Sequence, residues 1–96
     1  MLIVSPKAEP DLLDIWLHIA NDSPINADHF LDHINEQAQN LVEFPKAGKL
    51  RPELAQALRC FPIERYLLFY REQGSTIELV RVLHAARDFT VLLLSR

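Results

Sequence analysis

Residues 77–83 read IELVRVL, and the apolar members Ile77, Leu79, Val80, Val82 and Leu83 leave almost no polar alternation. A strand with one wet face alternates; a near-continuous apolar run belongs to a strand covered on both faces. This run therefore predicts a central strand, Ile77 to His84, and so a layered domain. Ahead of it, Gln73-Gly74-Ser75 supplies a turn and Tyr66 to Arg71 a second, aromatic-rich strand. Leu58 to Phe61 is a third candidate, ended by Pro62.

The first half has a different rhythm. Met1 to Val4 is a short apolar run, consistent with a buried strand. Ser5-Pro6 then reads as N-cap and first position of a helix, with Pro10 still near the first turn. Leu12, Leu13, Trp16, Ile19 and Ala20 recur at helical spacing and predict its buried stripe, with Asp11, Asp14 and His18 pointing elsewhere. Ser23-Pro24 repeats the start signal. Ala27, Phe30, Leu31, Ile34, Ala38, Leu41 and Val42 make a second stripe that Phe44-Pro45 ends. The short interruption predicts an antiparallel αα-hairpin. Lys46 to Pro52 reads as a polar loop, Glu53 to Leu58 as room for one helical turn, and Phe89 to Leu94 as a helical turn or edge strand. The order β-α-α-β-β-β predicts one α+β domain over residues 1–96, its helical hairpin packed on a mostly antiparallel sheet.

Composition sets bounds on chemistry. One cysteine, Cys60, excludes an internal disulfide, and its apolar surroundings predict a packed thiol. The N-terminal apolar run is too short for a signal peptide and no stretch approaches a membrane span, so a cytoplasmic location without membrane association is expected. Residues 1–44 hold one Lys or Arg against eight acids; residues 45–96 hold nine against five. Either the second half faces an acidic partner, or the helices simply collect acids and the strands arginines for solubility. With so few cations on an acidic chain, tight direct binding to nucleic acid is not expected.

Candidate site residues gather in the second half. Arg81, His84 and Arg87 close the predicted central strand and are anion-binding candidates, although Arg81 and His84 fall on opposite faces of a regular strand. A bulge near Ala85-Ala86 would bring His84 and Arg87 together. Arg59, Arg65 and Arg71 flank the hairpin strands and either continue the cationic surface or protect an exposed strand edge. His29 and His33 stand at i, i+4, but no third ligand is in view, and a polar outer helix face is the reading; no metal or cofactor is expected. Trp16 reads first as core and second as a partner anchor, and the apolar tail Leu92, Leu93 and Leu94 as partner-covered surface.

The pieces VSPKAEPDLLDIWLHIA, FPKAGKLRPEL, LRCFPIERYLLFYR and IELVRVLHAARD, in this order and spacing, resemble the ParE/RelE superfamily of toxins from bacterial type II toxin–antitoxin pairs, and RVLHAARD is closer to ParE. The resemblance covers nearly the whole chain. It implies the fold described, a cognate ParD-like antitoxin as partner, and DNA gyrase as the target of inhibition by binding. The RelE branch implies instead a ribosome-dependent messenger RNA endoribonuclease, for which His84, Arg81 and Arg87 would be the catalytic candidates. Phe89 stands where a RelE-like proton donor would be sought. A third possibility is a homologue that only binds antitoxin. Trp16 and Leu92 to Leu94 are the antitoxin-binding candidates; Arg59, Arg65, Arg81, His84 and Arg87 are the target-binding ones.

Overall fold

The computed structural model describes residues 1–86 of the chain. Elements follow in the order β1 (Leu2–Val4), α1 (Ala8–Ala20), α2 (Pro24–Glu43), β2 (Lys49–Leu50), β3 (Leu58–Ile63), β4 (Tyr66–Gln73) and β5 (Thr76–His84). The strands form one mixed sheet in the order β1-β5-β4-β3-β2. Only the β1–β5 pair is parallel. This is the expected α+β architecture, with the α1–α2 hairpin on one face.

The apolar run of β5 has the expected consequence. The strand lies between β1 and β4 and feeds two clusters. Ile77, Leu79 and Val82 join Ile63, Leu68 and Tyr70 under Ile15, Ile34 and Leu41 of the helices. Leu83 joins Leu54, Leu58, Cys60 and Phe69 in the second cluster. Cys60 is buried there, and burial pushes its thiol pKa above the ordinary range.

Both tight turns have a local cause. Gly74, at φ +61°, is the first of two residues between the paired ends Gln73 and Thr76, a backbone glycine adopts without a steric cost. Glu64 takes the same position in the β3–β4 turn at φ +53°, a left-handed conformation costly for a side chain with a Cβ.

Four expectations need correction. Helix α1 starts at Ala8 with Lys7 at its cap, not at Pro6. Ser5 still belongs to the sheet edge: its N–H donates to Leu79 O at 3.0 Å and its hydroxyl to Val80 O at 2.8 Å. Its hydroxyl also accepts the Ala8 N–H at 3.2 Å, so Ser5 does serve the helix start, as Ser23 does for α2 by accepting from Asn26 N–H at 3.2 Å. The buried stripe of α1 is Ala8, Asp11 and Ile15, flanked by Leu12 and Ile19; Leu13 is exposed and Trp16 half-buried. This helix is apolar over so much of its circumference that periodicity alone did not select the inward face. Pro62 lies inside β3 rather than ending it, because β2 pairs only with Arg59 and Cys60 and leaves the edge beside Pro62 unpaired. Finally, the 46–52 loop contains the two-residue strand β2. The expectation for residues 89–94 lies outside the described residues.

Candidate functional site

β1 is too short to cover β5. Its last partner is Leu79, so the edge of β5 beyond that residue must find other acceptors. Helix α1 provides one. Asp11 Oδ2 accepts the Val82 N–H at 3.0 Å, standing in for a strand neighbour. The same carboxylate receives Arg81 in a two-pronged bond, Nε to Oδ2 at 2.7 Å and Nη2 to Oδ1 at 2.9 Å. The side chains are 15% and 9% exposed, so the pair is largely out of water. The hydrogen bond that Arg81 donates to Asp11 raises the Arg81 pKa above its ordinary value against the opposing pull of burial.

The register slips here. Phe69 pairs with Arg81 and Tyr70 with Leu79, so Val80 is the extra residue of a β-bulge. The bulge lies four residues or more before the Ala85-Ala86 position expected from sequence. Arg81 was expected as an anion-binding or target-binding group; its guanidinium instead closes the α1–β5 junction.

His84, three residues on, has a different setting. It pairs across the strands with Tyr66, their rings edge to face at 5.2 Å, and Tyr66 tilts against Phe30 of α2 at 5.5 Å. The Ala86 N–H donates to His84 Nδ1 at 3.1 Å. Neutral imidazole has one lone pair and one N–H, so Nε2 must carry the proton. With that bond in place, the neutral ring of His84 has a hydrogen-bond donor at Nε2.

This aromatic row floors an open cleft of about 580 Å³ between the helical hairpin and the β3–β4 turn. His18, His29, His33 and His84, all the histidines of the chain, line it with Arg65 and Tyr66. Arg65 is exposed in the β3–β4 turn, and its carbonyl accepts the Ala85 N–H at 2.8 Å, which ties that turn to the end of β5. Asp22 and Glu64 also reach the cleft. Among the described residues, no group of three or more His, Cys, Asp or Glu is arranged to hold a metal ion.

Arg59 belongs to the other end of the sheet. Its Nη1 donates to Gly48 O at 2.8 Å. Tyr70, fully buried, accepts the Gly48 N–H and donates to Pro45 O, both at 2.8 Å. A Cβ on Gly48 would stand 2.5 Å from that phenolic oxygen, so only glycine permits the approach. This lock holds the loop that exposes Lys46 and Lys49. Burial raises the Tyr70 pKa, with the Gly48 bond working against it.

The structure therefore brings Arg65 and His84 together, separates Arg59 from them, and commits Arg81 to Asp11. Arg87, Leu92, Leu93 and Leu94 lie outside the described residues. Trp16 is half-buried on the outer side of α1, its indole N–H donating to Asp28 Oδ1 at 2.8 Å. Sequence reasoning missed Asp11, and it set His29 and His33 on an unremarkable outer face. The i, i+4 spacing of His29 and His33 was the one signal in the sequence; nothing local showed that His18 and His84 would meet them.

Residues 2–89 match the family described as the ParE toxin of the type II toxin–antitoxin system parDE. Toxin RelE2 of Caulobacter vibrioides is 30% identical over 81 residues, which cover 84% of this chain and 90% of that protein. A solved structure described as a chromosomal ParDE toxin–antitoxin system from P. aeruginosa superposes with a TM-score of 0.73 at 26% identity, covering 86% of this chain and 92% of that one. The chain belongs to the ParE toxin family, within the ParE/RelE superfamily, and so to the toxins of type II toxin–antitoxin systems.

Proposed function

We propose that this toxin acts by binding, with DNA gyrase as its target, and is neutralised by a ParD-like antitoxin. The observation that carries the reading is the hydrogen-bonding of β5. Of the residues a nuclease would draw on here, Arg81 is engaged by Asp11 and His84 has its lone pair on the Ala86 N–H. A general base needs a free lone pair within reach of the proton it removes. A binding surface needs only donors and charge, and Arg65 with the Nε2–H of His84 supplies both beside the cleft. Arg59 and the Lys46 and Lys49 loop form a second cationic region at the opposite end of β3. Arg87 remains a target-binding candidate from the sequence. The solved relative described as a ParDE system supports the antitoxin partner. No helix among the described residues is long and apolar enough to cross a membrane, and a cytoplasmic site of action is part of the proposal.

A second reading, ribosome-dependent messenger RNA cleavage, is favoured by one observation: imidazoles of His18 and His84 line the same cleft as Tyr66 and Arg65. A gyrase supercoiling assay run beside an in vitro translation assay separates the two. The binding reading expects lost supercoiling with intact messenger RNA, and inhibition weakened by Arg65→Ala. Messenger RNA cuts with unaffected supercoiling, falling about 100-fold or more in His84→Ala, would replace it with the nuclease reading.

A further inference from the structure

Five arginines lie among the described residues, and the fold engages four of them. Arg51 and Arg81 each hold a carboxylate, and Arg59 and Arg71 each donate to a backbone carbonyl. The guanidinium of Arg65 has no such partner among the described residues and stands exposed at the cleft. The side chains of His18, His29 and His33 likewise make no hydrogen bond, ion pair or ring contact among these residues. Four donor side chains, from α1, α2 and the β3–β4 turn, thus converge on one cleft with their polar atoms unengaged by the protein.

An imidazole changes charge between about pH 5 and 8. With neutral imidazoles the cleft sets one cation, Arg65, against the carboxylates of Asp22 and Glu64. Protonating His18, His29 and His33 turns one cation into four. A second proton on His84 would displace the Ala86 N–H from Nδ1, so that ring serves as a neutral donor. Asp11 and Asp14 line an adjoining depression with His18 and His84, and Asp28, Asp32 and Glu36 adjoin His29 and His33 along α2. Arg81 holds Asp11; the other carboxylates are exposed, where water and salt screen them. The amino end of α2, whose dipole favours an anion, reaches the cleft through Ser23 and Asn26, and its first turn carries no acid.

We propose that this cleft binds a phosphate dianion, free or as the end group of a small phosphate monoester, held by Arg65 and by the protonated rings of His18, His29 and His33. Binding peaks near pH 6: a phosphate monoester loses its second charge below about that pH, and the imidazoles lose theirs above it. The cleft of about 580 Å³ has room for an organic part, with Phe30 and Tyr66 as its aromatic floor. The inference goes beyond the toxin reading. Its test uses the protein alone, so its failure is distinct from a failure of gyrase inhibition.

Adenosine monophosphate and inorganic phosphate are titrated into the full chain by calorimetry at constant ionic strength, at about pH 5, 6 and 8. Dimethyl phosphate, a diester with a single charge, is the control. One saturable site is expected, at least about tenfold tighter at pH 6 than at pH 8, with no binding of the diester. Tighter binding of the nucleotide than of phosphate identifies an ester whose organic part reaches Tyr66; equal affinity identifies free phosphate; either supports the inference. Affinity should fall by at least about tenfold in Arg65→Ala and in His29→Asn/His33→Asn, and the second variant should also flatten the loss between pH 6 and 8. Circular dichroism checks that each variant is folded, and the imidazole resonances of His29 and His33 in the unaltered protein should move on adding phosphate. Absence of saturable binding, equal or tighter binding at pH 8, equal binding of dimethyl phosphate, or full affinity in both variants would overturn the inference. So would loss of binding in Lys46→Ala/Lys49→Ala alone, which places the anion on the loop at the other end of β3.

Discussion

The middle and the end of β5 lie three residues apart and make opposite use of their polar side chains. At the middle, Arg81 is gripped by Asp11, and the same carboxylate satisfies the strand edge that β1 leaves open. At the end, His84 leans on Tyr66 and lines an open cleft. In sequence both look like members of one anion-binding cluster. In the fold, the short β1 decides between them: where the neighbouring strand stops, a helix carboxylate takes over, and the nearest arginine is drawn into the structure with it. A cation counted in the sequence is not a cation offered to a partner.

The largest test of this contrast removes the shared acceptor. Asp11→Ala should cost about 3–5 kcal/mol in urea unfolding, because it takes a two-pronged carboxylate acceptor from a largely buried guanidinium and leaves a strand N–H unbonded. A cost near that of a surface substitution would mean the middle of β5 is as open as its end. Arg81→Met should cost less, about 1–3 kcal/mol, since Asp11 keeps its bond to Val82. Tyr70→Phe should cost a comparable 1–3 kcal/mol, about what stranding the Gly48 N–H and Pro45 carbonyl implies. His84→Ala should be the mildest, about 1 kcal/mol or less from the lost ring contact with Tyr66.

Alkaline pH gives a further check with a fixed sign. Burial raises the pKa of Cys60 and Tyr70 above their ordinary values of 9.0 and 10.0. The unfolded chain therefore loses these protons first, and the folded state binds more protons in between. Stability is fully retained below pH 9 and falls as pH rises through and beyond these values. The fall at the tyrosine step should be absent in Tyr70→Phe, as followed by the urea midpoint at successive pH values.

How far the fold was legible follows from the same local physics. The doubled apolar run of β5, the Ser23-Pro24 start of α2 and the Gly74 turn each have a cause within a few residues, and each formed as read. Three features have causes distant in sequence. The inward face of α1 was ambiguous because Leu12, Leu13, Ile15, Trp16, Leu17 and Ile19 surround most of the helix, and only contact with β5 selects Ile15 over Leu13. Pro62 was misread because its tolerance depends on how short β2 is. The site was the least legible part. Asp11 and Arg81 are seventy residues apart in the chain, and the cleft draws its histidines from α1, α2 and β5.

A double-mutant cycle on Asp11 and Arg81, built from Asp11→Ala, Arg81→Met and the double variant and read by urea unfolding, tests the account at its centre. The pair is predicted to be coupled by about 2 kcal/mol, within the range for directly bonded neighbours, so that the double variant is clearly more stable than additivity allows. Strict additivity of the two substitutions would contradict the account and return Arg81 to the exposed surface.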